Sequence, residues 1–302
     1  MQSYLNYPFV ILSFIVVVQG TYGQQPEAFT RSDFQLRGPV KQLVVKANYG
    51  QEQFEFDKLG RLTKSLTRYN ETDYDISYYI FSGKILKERR DEVYRDGVCD
   101  RQVSIAHIYR RDSITNRLYE TLSSYDRSIT EQIELRFDSL QRLKNVRRAY
   151  SEGIDVMEVQ HSGTKSSQTE RFLSNGVLHK VIKKIAADSI RPGFRIEYTE
   201  HYREGLPVLA MKILTDARGQ RQSEASFQFN PTTKGWELQQ TVKFTYNADG
   251  LIASQTTLSE TGKILGPVIK YIYQMDGAKP SNWVRQVTTP ENNIVAREIV
   301  YY

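Results

Sequence analysis

Cysteine is almost missing: Cys99 is the only one in 302 residues. No internal disulfide can form, so burial and hydrogen bonding must hold the fold. Histidine is scarce too, at positions 107, 161, 179 and 201. None of these stands in a His-x-His, His-Glu-x-x-His or Cys-x-x-Cys spacing, so no metal site is signalled and no cofactor is expected. Ala-rich and Leu-rich helical stretches are few. Beyond the first residues, no run reaches the roughly 20 apolar residues that a helix needs to cross a bilayer. Low-complexity segments and long blocks of like charge are also missing, which argues against disorder. Pro and Gly are scattered, as at Pro192-Gly193 and Gly266-Pro267, and are not gathered into a linker.

Rings are abundant. With 20 Tyr and 13 Phe among 39% hydrophobic residues, the chain can bury a substantial core. Tyr, Phe, Val, Ile and Thr suit a pleated, half-buried surface, so composition leans towards β structure. The net charge is +6 with a pI near 9.1. That is mildly basic, without the clustered Lys and Arg of a nucleic-acid binder, and no specific nucleic-acid partner is expected.

The apolar run from Phe9 to Val18 is followed by Gln19-Gly20-Thr21-Tyr22-Gly23 and then Gln24-Gln25-Pro26. A short apolar core followed by small residues is the pattern of a cleaved export signal. Residues 1–23 are read as that signal, with 24–35 as a short leader. No Lys or Arg precedes the run, a departure from the usual pattern. The expected location is the periplasm, the cell surface or the extracellular space, with no transmembrane span once the signal is removed. Cys99 lies far from the signal and is read as a small core or loop residue.

From Leu36 onward one unit recurs. Phe54-Glu55-Phe56-Asp57-Lys58-Leu59-Gly60-Arg61-Leu62 has counterparts in Leu135-Arg136-Phe137-Asp138-Ser139-Leu140-Gln141-Arg142-Leu143 and in Phe244-Thr245-Tyr246-Asn247-Ala248-Asp249-Gly250-Leu251. A looser copy is Phe172-Leu173-Ser174-Asn175-Gly176-Val177-Leu178. Alternation sets Phe54 and Phe56 on one strand face. Asp57, Asp138 and Asn247 can fold onto backbone amides ahead of them and start a turn. Gly60 and Gly250 permit positive φ; Gln141 must adopt that geometry at some cost. Weaker copies around Tyr78, Tyr109, Tyr202 and Tyr273 fill the gaps, and Ser226 to Pro231 reads as a further hairpin. The expected fold is all-β: a single elongated, curled antiparallel sheet of tandem hairpins over 36–302.

The stretch Phe56-Asp57-Lys58-Leu59-Gly60-Arg61-Leu62 resembles the Tyr-Asp-x-x-Gly-Arg-Leu core of the YD repeat, the unit of Rhs-type proteins. The ending, Asn282-Trp283 followed by Arg297 to Tyr302, is similar to the close of small exported repeat proteins of Bacteroidetes-type bacteria. The resemblance implies strips of β-hairpins that curl, and in large relatives wrap into a shell around cargo. This chain is too short for such a shell, and the shared turn and core positions bring no catalytic residues with them.

The best candidate for binding is a basic ladder on the returning strands: Lys64 with Arg68, Lys144 with Arg148, and Lys180 with Lys184. Residues four apart share a strand face, so a regular sheet would align these pairs into one positive stripe. The competing reading makes Glu52, Glu55, Glu131, Glu134 and Glu170 their cross-strand partners, as ordinary sheet decoration. Tyr69, Tyr78, Tyr150, Tyr198, Tyr271 and Trp283 divide the same way, between stacking on sugars and filling a sheet face. Trp236 and Trp283 are read as packing anchors.

The expected function is therefore an exported, non-enzymatic binding or scaffold module, with an envelope glycan or another envelope protein as partner. Two alternatives stand beside it. One is an enzyme acting on envelope polymers, which requires carboxylates or a His converging in a cleft. The other is an outer-membrane β-barrel, which requires a continuous apolar outer face. Arg297 beside Glu298 puts a charge on each face of the last strand.

Overall fold

The computed structural model describes residues 28–47, 50–188 and 191–302. The export signal read over 1–23 lies outside the described residues. The first strands are β1 (Val40–Ala47), β2 (Gly50–Phe56), β3 (Leu62–Arg68), β4 (Tyr74–Ser82), β5 (Ile85–Arg95), β6 (Val98–Cys99) and β7 (Ile105–Asp112). Then come β8 (Arg117–Ser124), β9 (Thr130–Phe137), β10 (Leu143–Tyr150), β11 (Gly153–Gly163), β12 (Ser167–Ser174), β13 (Val177–Ala186) and β14 (Arg195–Arg203). The last are β15 (Leu206–Thr215), β16 (Arg221–Asn230), β17 (Gly235–Tyr246), β18 (Ile252–Ser259), β19 (Ile269–Met275), β20 (Trp283–Thr289) and β21 (Asn293–Tyr301).

Each strand pairs antiparallel with its sequence neighbour, except that β5 skips to β7 and leaves β6 as a two-residue outlier at its tip. The decisive pairing joins the ends of the chain. β1 and β21 run antiparallel with Leu43 opposite Ile299 and Val45 opposite Arg297. The result is a closed barrel of 20 strands, not the open curled sheet expected from the repeats. An open sheet would expose two edges of unpaired backbone groups, and closure removes both. Hairpin repeats show which strands are neighbours; the accumulated twist and stagger decide whether the first meets the last.

One alternation runs around the ring without a break. Leu43 is opposite Phe54, which is opposite Ser65, then Ser77, then Asp91. This face is the inner one, because it gathers Val295, Leu43, Phe56, Leu62, Tyr79 and Leu86 from widely spaced strands into one buried cluster. Only a concave surface can bring them together. A second inner cluster joins Leu118, Leu135, Phe137, Leu143, Val159 and Phe172. Val40 and Leu43 are fully buried, each worth roughly 1.5–3 kcal/mol of transfer free energy.

Residues ahead of β1 pack onto the inner face instead of trailing away. Arg31–Phe34 forms one 3₁₀ turn, fastened by the Thr30 N–H to the Asp33 carboxylate at 2.6 Å. Phe34 lies 4.5 Å from the Phe54 ring and 5.3 Å from Phe56, and Phe29 meets Tyr79 edge-on. Asn282 locks the segment in place. Its Oδ1 accepts from the Arg37 N–H at 2.8 Å, and its Nδ2 donates to the Arg37 carbonyl at 2.9 Å. The adjacent Trp283 is buried, with its ring 5.8 Å from Tyr273 and the Arg297 guanidinium 3.4 Å above its face.

The recurring turns share one geometry. Asp57 Oδ1 accepts from the Arg61 N–H at 3.0 Å, Asp138 from Arg142 at 2.9 Å, and Asn247 from Leu251 at 2.9 Å. Asp216 does the same with Gln220 at 2.8 Å, a copy the sequence reading passed over. Arg61 and Arg142 also fork back onto their aspartates. Burial would raise both carboxyls, but the bonds and charge of those arginines hold them below the usual range. Gln141 takes φ 63°, as its place in the motif requires. Gly60 takes φ +85°, where a side chain would be strained, and a Cβ there would displace the Arg31 guanidinium, 2.6 Å away at Nε. Since strands alternate in direction, the turns after Phe56, Phe137, Thr215 and Tyr246 all lie on the rim where the N-terminal segment enters.

Candidate ligand-binding surfaces

The basic ladder does not form one stripe. Lys64 and Arg68 face outward, opposite Glu55 and Gln51. Arg148 faces inward opposite Ile133 and bonds Glu131 at 2.7 Å. Lys180 and Lys184 also face inward, opposite Phe172 and Gln168. Lys144 is the extra residue of a bulge between Leu143 and Asn145. Bulges explain the scatter: one extra residue in a strand flips every side chain beyond it. In β3 the extra residue is Thr63, so Lys64 lies past it; in β10 it is the lysine itself. Three ladder residues have the cross-strand carboxylates of the competing reading: Lys64 with Glu55 (3.7 Å), Arg148 with Glu131, and Lys184 with Glu170 (3.8 Å).

Outward on β3–β5, two ladder cations meet tyrosines. The Arg68 guanidinium stands 5.1 Å from the Tyr74 ring, and Tyr74 stacks on Tyr94 at 4.6 Å and 16°. Lys64 Nζ lies 5.8 Å from Tyr78. The strip continues to β7 and β8, where Arg110 sits 4.3 Å over Tyr119. Glu92 anchors it, accepting from the Tyr94 and Tyr125 hydroxyls at 2.9 Å each. That bond to Glu92, with burial, raises Tyr94 above the ordinary phenol range. The other tyrosines singled out in the sequence divide between faces: Tyr198 is outside, and Tyr150 and Tyr271 are inside. Tyr69 lies past the end of β3, with its hydroxyl donating to the inward Asp75 at 2.8 Å. Trp236 packs on Phe229 across a hairpin at 5.3 Å.

The inner face of β5, β7 and β8 carries an ionic quartet that the sequence did not reveal. His107 is 7% exposed. Its Nδ1 is 2.7 Å from Glu120 Oε1, and its Nε2 is 3.2 Å from Asp91 Oδ2. Arg89 Nε donates to the same Asp91 oxygen at 2.9 Å, and Ser77 donates to the other at 2.7 Å. Burial would lower the imidazole, but its bonds to Asp91 and Glu120 prevail and hold it above its ordinary value. Asp91 is held low against burial by His107, Arg89 and Ser77. Two cations and two carboxylates thus satisfy one another, which is how buried charge is tolerated. His107 reads from sequence as an ordinary strand histidine; only the register joins it to its partners.

Further round the entry rim, the ends of β12–β15 line a cavity of about 690 Å³ that includes Gln168, Lys184, Arg195, Glu197 and Thr215. A smaller one of about 330 Å³ adjoins it, shares Lys165 and Gln168, and includes His161. His161 Nε2 lies 2.6 Å from the Leu143 carbonyl. Among the described residues, no group of three or more His, Cys, Asp or Glu could hold one metal ion.

No protein-family model and no curated protein matches the sequence. Among solved structures, the chain is similar to a porin-like protein from Bacteroides uniformis at TM-score 0.31 and 8% identity, covering 88% of this chain and 99% of that one. A porin-like protein from Bacteroides vulgatus follows at TM-score 0.24 and 11% identity, over 87% and 98%. TcdB2-TccC3 without its hypervariable C-terminal region gives TM-score 0.21 and 10% identity, over 80% of this chain and 21% of that one. At such scores the likeness carries no argument, and the barrel assignment rests on strand register alone.

Proposed function

We propose that this chain is a non-enzymatic binding module of the exported space: a closed barrel standing in water, with the outer strip of β3–β8 presented to an acidic envelope glycan. The observation that carries this is the stacking of Arg68, Tyr74 and Tyr94 beside Lys64 and Tyr78. Flat rings offer faces to sugars and the cations match acidic groups. The ionic groups of the inner quartet are committed to one another, which favours a scaffold role over catalysis. Export rests on the apolar run ahead of Gly23, and kinship to the YD repeat rests on the shared Asp-centred turn.

Of the readings carried from sequence, closure favours the barrel. Spanning a membrane would require an apolar outer band roughly 25 Å tall. The outer wall instead carries Lys46 bonded to Glu298, Glu55 near the end of β2, and Arg90, Glu134, Arg147, Lys183 and Lys212 within their strands. We therefore take the barrel without the membrane. The purified mature chain should stay monodisperse without detergent and be retained on alginate resin. Arg68→Ala with Tyr74→Ala should weaken retention at least about tenfold. A requirement for detergent would overturn the aqueous barrel, and retention unchanged by the double substitution would overturn the strip.

A further inference from the structure

The rim cavity at the ends of β12–β15 has the features of a built site. Its volume of about 690 Å³ falls within the range of roughly 300–1,000 Å³ common for small-ligand pockets. Gln168, Lys184, Arg195, Glu197 and Thr215 face into the barrel by register, so the cavity stands apart from the outer strip and its occupant does not depend on that strip.

Three observations describe what fits. Glu197 Oε1 is buried and accepts no hydrogen bond among the described residues. An acceptor cut off from water favours any ligand that brings a donor to it. Lys165 and Arg195 line the same space without an ion-pair partner among the described residues, and Lys184 reaches Glu170 only at 3.8 Å. Three cations therefore stand against Glu197 and Asp188, and Asp188 is already occupied by the Gly193 N–H at 2.9 Å. Phe194 supplies a flat apolar wall. A matching ligand carries one carboxylate, at least one hydroxyl donor and a compact ring.

We propose that this cavity is a seat for a sugar acid of the uronate type. Its carboxylate lies among Lys165, Lys184 and Arg195, a ring hydroxyl donates to Glu197 Oε1, and the ring face rests on Phe194. A neutral sugar leaves the cations unmatched. A simple carboxylate leaves Glu197 unanswered. The adjoining cavity of about 330 Å³, joined through Lys165 and Gln168, gives room for a second sugar, so a short acidic oligosaccharide fits better than a monosaccharide.

Calorimetric titration of the full chain with galacturonate, galactose and acetate tests this. Galacturonate should bind at least about tenfold more tightly than either control, and digalacturonate more tightly still. Glu197→Gln should weaken galacturonate about tenfold or more while leaving the circular dichroism spectrum unchanged. Arg195→Ala, at an exposed position, should also weaken it and serves if the Glu197 variant does not fold. Equal affinity for galacturonate and galactose would overturn the proposal, since the cations would then contribute nothing to recognition. Equal affinity for galacturonate and acetate would do so too, because Glu197 would then need no hydroxyl. So would galacturonate binding that survives both substitutions.

Discussion

Two arcs of the same rim solve the problem of a barrel interior in opposite ways. From β19 round to β5, the N-terminal segment lays Phe29, Phe34 and Leu36 on the inner wall and completes an apolar cluster around Leu43 and Trp283. At the rim ends of β12–β15 the inward residues Lys184, Glu197 and Arg195 border open space, while Phe172 and Ile182 further along β12 and β13 belong to the second inner cluster. The strands are alike in length and turn chemistry, so the difference comes from what is laid against them. A barrel this wide cannot fill itself with its own side chains. Where the N-terminal segment supplies the filling, the interior is a core up to the rim; at the rim ends of β12–β15 it is a polar lined space.

That contrast breaks first under truncation. Leu43→Ala should cost about 2–5 kcal/mol in urea unfolding, whereas the inward Met211→Ala on the opposite arc should cost less than about 1 kcal/mol. Equal losses would mean that both arcs are packed alike. Asn282→Ala should cost about 1–3 kcal/mol, because the backbone groups of Arg37 lose their partners. It should also speed proteolysis of the N-terminal segment before that of any strand.

The ionic quartet lies where the apolar arc ends, and pH probes it. Because the folded His107 is held above its unfolded value of ~6.5, its contribution is complete below that value and is lost as pH rises through the raised folded one. Asp91 is shifted the other way, so its contribution is kept above the unfolded value of ~3.9 and lost only as pH falls further. The urea midpoint should therefore decline between pH 6 and pH 9 in the natural chain and stay flatter in His107→Gln. The same slope in both would remove His107 as the cause. The smallest effect belongs to the turns. Gln141→Gly should stabilise by no more than about 1 kcal/mol, relieving positive φ but losing the Arg111 contact at 3.2 Å.

The pattern of strands and turns was legible from local chemistry. Asp57, Asp138 and Asn247 bond the amides that their spacing indicated, Gln141 adopts the positive φ forced on it, and Trp236 and Trp283 are packing anchors. The facing of the basic residues was not legible. Lys64 points out and Lys180 points in, although both follow a turn by a similar distance, because bulges at Thr63 and His179 fall in different registers. The quartet of Arg89, Asp91, His107 and Glu120 was hidden for a related reason: its members come from three strands and meet only through pairing.

By itself the sequence determined that this chain makes antiparallel hairpins, where most of them turn, and which rings line their faces, since those depend on neighbours a few residues apart. The tertiary structure alone decided that β1 meets β21, which face becomes the inside, and where space is left within. Those outcomes depend on twist, stagger and bulges summed over the whole ring, and a shift of one residue anywhere in it reverses the facing of everything beyond.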